Sequence, residues 1–139
     1  MRALIVISLS LLSACALQPP KDDSLYHALG DKAGINHIVE GLLINIAHDE
    51  RINRHFRNAD PIRLRDKLVE KFCVESGGPC TYTGDSMAEV HKGQNIGKAE
   101  FNALVEDLID SMDARGIPVP TQNRLIARLA PQRGEIIGK

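Results

Sequence analysis

Tryptophan is absent, and two tyrosines and three phenylalanines are the whole aromatic complement. Strand-favouring residues are thin, so an all-β architecture starts badly. There is no basic block either. The 17 Lys and Arg are interspersed with 18 Asp and Glu, for a formal net charge of −1. With no cluster able to neutralise phosphates, nucleic acid is not an expected partner. No apolar run reaches the roughly 20 residues that an ordinary membrane-spanning helix needs. Internal repeats and low-complexity tracts are missing too. What is present is a chain of 139 residues, 43% hydrophobic and rich in aliphatics. That is enough for one domain with a core of its own.

The first residues read as a targeting segment. Met1-Arg2 is a short positive start, and the apolar run 3–12 has the length of a signal peptide. Leu12-Ser13-Ala14-Cys15 resembles the lipobox of bacterial lipoproteins, in which small residues precede a cysteine that is lipidated and becomes the mature N-terminus. The resemblance implies a lipoprotein signal peptide over 1–14 and a lipid anchor on Cys15. It also implies a chain held at the bacterial cell envelope, facing the periplasm. Ala16 after the cysteine is similar to the pattern that sorts to the outer membrane. The alternative is an ordinary secretory signal cleaved nearby, with Cys15 incidental. Residues 15–23 contain Gln18-Pro19-Pro20-Lys21-Asp22-Asp23, whose prolines and charges suit a tether. The folded domain is expected over 24–139.

From Ser24 on, apolar residues recur at helical steps. Residues 24–29 suit one or two turns, with Ser24 as candidate N-cap and Gly30 as the stop. Ile35, Ile38, Val39, Leu42, Leu43 and Ile46 predict a helix from Lys32 to about His48. A short turn over 49–56 follows. Asp60 then caps a helix that Pro61 opens, where a missing N–H costs nothing, and that runs to Glu75. Its Leu64, Leu68 and Phe72 form one stripe, flanked by Lys67 about 60° round the wheel. Ser76-Gly77-Gly78-Pro79 ends it, and 80–84 is irregular. Phe101, Leu104, Val105, Leu108, Ile109 and Met112 predict a helix over 98–115 with Gly116 at its C-terminus. A turn over 117–120 should lead to Thr121 as cap of a last helix, with Leu125, Ile126 and Leu129 inward. Pro131 should bend that helix or divide it from Glu135-Ile136-Ile137. The expected fold class is all-α.

His91 is the candidate chemical centre. Imidazole serves as base, metal ligand or packing group, so the residue alone decides nothing. Met87, four residues earlier, shares its helical face, and Gly84 and Gly93 flank the pair. A bare aliphatic stripe on one helix and a histidine on a short segment can sandwich a flat apolar cofactor. Spacing alone leaves a partly buried histidine in a helical bundle equally open.

The run Phe72…Gly77-Gly78-Pro79…Tyr82-Thr83-Gly84…Met87…Val90-His91…Gly93 resembles the group 1 truncated haemoglobins. The similarity extends from Leu25-Tyr26 through Ile117-Pro118, with Phe56 in the place of the family's haem-stacking phenylalanine. It implies a globin-like two-over-two helical sandwich and haem b held by His91 as the proximal iron ligand. It also implies that oxygen, carbon monoxide or nitric oxide binds on the other face. Carried over, Phe56 stacks on the porphyrin, and Leu43, Leu64 and Leu68 take the distal positions. Phe72 lies one turn beyond. Met87 packs under the ring, because two residues on one turn cannot reach opposite faces of the iron. Tyr82 and a basic residue are candidates for the haem propionates. Lys67 is expected either to pair with a propionate or, deprotonated by burial, to take the sixth site of ferric iron.

The departures from the family matter more. Its Phe-Tyr pair late in the second helix is Leu42-Leu43 here, and its frequent distal glutamine is replaced by leucine. Its Gly-Gly before that helix is Gly30-Asp31. An apolar distal face predicts weak oxygen binding. The leading expectation is a reversible gas-binding protein. An alternative is a haem enzyme that detoxifies nitric oxide or peroxide, with an unknown electron donor. A haem-free adaptor on the same scaffold is a third.

Once Cys15 is lipidated, Cys73 and Cys80 remain, and in an oxidising envelope they read as a disulfide. Such a loop would stabilise by roughly 2.5 kcal/mol. Alternatively Cys73 points into the core as a small apolar residue. His27, His37, His48 and His55 are expected at the surface.

Overall fold

The computed structural model describes residues 21–139; the signal segment, Cys15 and the tether as far as Pro20 lie outside the described residues. The described chain forms helices α1 (Ser24–Ala28), α2 (Asp31–His48), α3 (Pro61–Glu75), α4 (Met87–His91), α5 (Lys98–Ala114) and α6 (Val119–Leu129). Single 3-10 turns occupy Asn53–Phe56 and Ala130–Glu135. Among the described residues, extended pairing is limited to a one-residue bridge between Ile96 and Ile137. The all-α expectation therefore holds.

Local chemistry sets the helix ends. The Asp60 carboxylate accepts the Arg63 amide at 2.8 Å, and Pro61 opens α3 as expected. Two boundaries differ from the sequence reading. Ser24 lies inside α1, and its hydroxyl accepts from Arg124 on α6 at 2.7 Å instead of capping. Helix α6 starts at Val119, so Thr121 is not its cap; Pro120 sits in the first turn, where it has no N–H to lose. Asp31 holds a left-handed φ of 58°, a conformation aspartate tolerates better than most residues.

Helices α2 and α3 form one layer and α5 and α6 the other, with α2 on α5 and α3 on α6. Ile38, Val39, Leu42, Phe72, Met112 and Leu125 are buried in the shared core. The two layers meet most closely where α2 crosses α5. A Cβ added at Gly41 would overlap the Ser111 hydroxyl, which is itself buried and donates to the Ile38 carbonyl at 2.6 Å. His27, His37 and His48 are exposed. His55 is not: it is half-buried, and its Nε2 is buried without a partner.

Gly41→Ala should therefore destabilise the fold. Overpacking costs about 1–3 kcal/mol, against roughly 1 kcal/mol gained in helix propensity. The urea midpoint should fall, and adding Ser111→Ala should recover part of the loss. A single variant at least as stable as the parent would contradict the close crossing.

Candidate cofactor site

A five-residue helix is too short to hold itself in water. α4 is held at its start by a reciprocal cap. Ser86 Oγ accepts the Glu89 amide at 3.2 Å, and the Glu89 carboxylate accepts the Ser86 amide at 3.0 Å. Gly93, at φ 79°, turns the chain away just past its end. His91 is the last helical residue and is half-buried. Its Nδ1 lies 2.7 Å from the Met87 carbonyl oxygen. A carbonyl only accepts, so Nδ1 is the donor, and in the neutral tautomer this selects, Nε2 is the nitrogen with the free lone pair. Met87 thus acts on His91 through its backbone, while its side chain stays half-buried beside it.

The irregular segment 80–85 runs antiparallel along α3 and is stitched to it. Reading down α3, Arg63 pairs with Asp85 at 3.8 Å, and Lys67 with the Thr83 hydroxyl. Glu70 accepts the Thr83 amide at 2.8 Å, and Lys71 lies over the Tyr82 ring at 5.0 Å. Cys73 is joined to Cys80 by a disulfide, with Cα atoms 5.9 Å apart. Gly78 makes room for this: a Cβ there would strike the Tyr26 ring and Cys73 Sγ.

An open cleft of about 400 Å³ lies where α2, the Asn53–Phe56 turn and the start of α3 converge. Leu43, Phe56 and Leu64 line it. Leu68 is half-buried against the core and does not line this cleft, and Phe72 belongs to the core itself.

Two of the candidate side chains have other partners in this structure. The Lys67 ammonium is committed to Glu70, 2.9 and 3.0 Å from its two carboxylate oxygens. A neutral, iron-seeking amine would forfeit that ion pair, and a propionate would have to compete with it. The Tyr82 hydroxyl donates to the Asp85 carbonyl at 2.8 Å, so its only proton is spent and it has none for a carboxylate. Burial also holds the phenol above its ordinary pKa. The sequence reading missed Glu70, Thr83 and Asp85, whose partners lie far along the chain. It also missed the Ser86-x-x-Glu89 cap, which that spacing does signal.

Among the described residues no group of three or more His, Cys, Asp or Glu is placed to hold a bare metal ion. A single histidine whose Nδ1 is held by a backbone carbonyl instead suits a metal that brings its own ligands, as in haem.

The Glu70 carboxyl is held at about 2, below its ordinary 4.5, first by the hydrogen bond from Lys67 and then by the Thr83 amide. A depressed folded-state pKa contributes stability that is in place above pH 4.5 and is lost as pH falls from there towards about 2. Over that window the urea midpoint of the parent should fall more steeply than that of Glu70→Gln. Parallel profiles would show that Glu70 contributes nothing to the seam.

The bacterial-like globin family model matches residues 24–137. A group 1 truncated haemoglobin of Mycolicibacterium paratuberculosis is 32% identical over 113 residues, spanning 81% of this chain and 83% of that protein. One from Nostoc commune is 28% identical over 116 residues, spanning 84% and 98%. The crystal structure of truncated haemoglobin from Tetrahymena pyriformis in its Fe(III) form superposes with a TM-score of 0.80. It is 26% identical and spans 83% of this chain and 98% of that one. Variants of the Tetrahymena protein replace one tyrosine and two glutamines, at positions spaced 21 and 4 residues apart. Leu43, Leu64 and Leu68 have the same spacing. With its helices, its histidine segment and these relatives in agreement, the chain belongs to the bacterial-like globins, as a group 1 truncated haemoglobin.

Proposed function

We propose that the chain is a haem b protein that reversibly binds small diatomic gases, and that His91 is its proximal ligand. The observation that carries this reading is the His91 ring. Its Nδ1 is spent on the Met87 carbonyl, and its Nε2 is left free on a helix fixed at its N-terminus. That backbone hydrogen bond sets the tautomer and makes Nε2 a better donor to iron. When bound, haem supplies an iron with one axial position open to a gas. Phe56, half-buried and lining the cleft, would stack on the ring, and Leu43 and Leu64, which line the same cleft, would face the distal side.

Leu43, Leu64 and Leu68 offer no hydrogen-bond donor to a gas ligand. A hydrogen bond to a charged group contributes about 1.5–3 kcal/mol, so oxygen should leave about ten- to a hundredfold faster than from a donor-lined pocket. Carbon monoxide and nitric oxide, which develop less charge, should suffer less. Detoxifying nitric oxide with oxygen requires oxygen to be held long enough to react. The same leucines weigh against that alternative, and the reading is a carrier, scavenger or sensor.

The purified protein should show a Soret band that His91→Ala abolishes; an unchanged spectrum in that variant would sink the assignment. Oxygen release should be fast, and Leu43→Tyr should slow it by about ten- to a hundredfold. Attachment through Cys15 at the cell envelope is part of the same proposal. Mass spectrometry of membrane-extracted protein should find an acylated Cys15 as the first residue, and a soluble, unmodified N-terminus would refute the anchor.

A further inference from the structure

The residues after His91 are held as closely as those before it. The Gln94 amide donates to the His91 carbonyl at 3.1 Å, and Gly93 and Asn95 both take left-handed φ, of 79° and 49°. Asparagine tolerates that conformation but does not enforce it. What fixes the connection is the stretch 130–139. The Asn95 amide donates to the Lys139 carbonyl at 2.8 Å, and the Gly138 amide to the Ile96 carbonyl at 2.9 Å, around the Ile96–Ile137 bridge. Earlier in the same stretch, the Ala130–Glu135 turn packs against α4 itself. That turn is tied in two directions. The Gln132 side-chain amide donates to Glu75, the last residue of α3, at 2.7 Å, and the Arg133 guanidinium lies over the Phe101 ring of α5 at 5.4 Å. Ile96 is buried, yet neither it nor Ile137 belongs to the core that the two layers share. The contacts of this stretch are therefore directed at the histidine segment and not at the main core.

Building on the haem reading above, we infer that residues 130–139 are a strap that holds His91 in place to ligate iron, with Ile137 and Gly138 as positioning residues. The seam with α3 sets where α4 begins, and the strap sets where it ends. A histidine at the last position of a five-residue helix has no helical turn after it to restrain it. The strap supplies that restraint through the backbone of Asn95 and Ile96. It acts on the strength of the iron–histidine bond and on haem retention.

The experiment uses the full-length haem-loaded protein. Gly138→Pro removes the amide given to Ile96 and cannot adopt the φ of 71° found there. Gly138→Asn keeps the amide, tolerates that φ and has open space for its Cβ. In Gly138→Pro, amide hydrogen exchange over residues 92–97 should quicken while exchange in α2 stays as in the parent. Haem transfer to an acceptor apoglobin should become about tenfold faster, and the iron–histidine stretching band of the ferrous form should move. Gly138→Asn should match the parent throughout. Unchanged exchange over 92–97, or an unmoved stretching band, would overturn the strap and leave the haem reading intact. Quickened exchange in α2 as well would also overturn it, since that pattern reports loss of the whole fold. So would equally fast haem loss from Gly138→Asn, which keeps the tie. Absence of a Soret band in the unsubstituted protein would overturn the haem reading and the strap's role at the iron with it.

Discussion

The seam between α3 and residues 80–85 is the constraint on which the rest of the site depends. α4 is only five residues long and packs against the Ala130–Glu135 turn, so its position is set by that turn and by the segment before it. That segment is fixed at successive levels of α3 by an Arg63–Asp85 pair, by the Lys67–Glu70–Thr83 cluster, by Lys71 over Tyr82 and by the Cys73–Cys80 bond. The helix that carries Leu64 and Leu68 thereby also determines where the histidine segment begins. Exposed ion pairs are worth little singly. Here they lie in register beside a covalent link, and each one limits the freedom of the next.

This arrangement explains which parts of the motif were legible from sequence and why. Helix periods located α2, α3 and α5, because a buried stripe of aliphatics leaves a direct trace at three- and four-residue steps. The prolines at 118 and 120 misled the start of α6: they signal a turn and a helix opening equally, and packing decides between the two. Gly77-Gly78 was recognisable as part of a family pattern, but its reason is steric. The Tyr26 ring and the disulfide leave no room for a side chain at 78. The roles of Lys67 and Tyr82 were not legible. Both depend on Glu70, Thr83 and Asp85 lying within hydrogen-bonding reach, and no local rule brings residue 70 to residue 83.

The distal side obeys a different logic. Leu43, Leu64 and Leu68 stand at positions whose spacing matches a tyrosine and two glutamines altered in a relative. Exchanging three polar groups for leucine removes buried groups that would each need a partner, and such groups are costly when unpaired. The fold loses nothing by the exchange, because Leu43 and Leu68 pack against the core in any case. What changes is the chemistry offered to a ligand. A ligand beside these three side chains would meet no hydrogen-bond donor from them.

The corner where α2 gives way to α3 is held differently. There the chain passes from α2 to α3 through a single 3-10 turn, with no covalent tie. Arg54 is anchored to Glu100 and Arg51 to Glu106, which fixes the turn to α5 and leaves Arg57, three residues beyond Arg54, among the residues lining the cleft. The turn is thereby held from behind, by α5, and not across the opening.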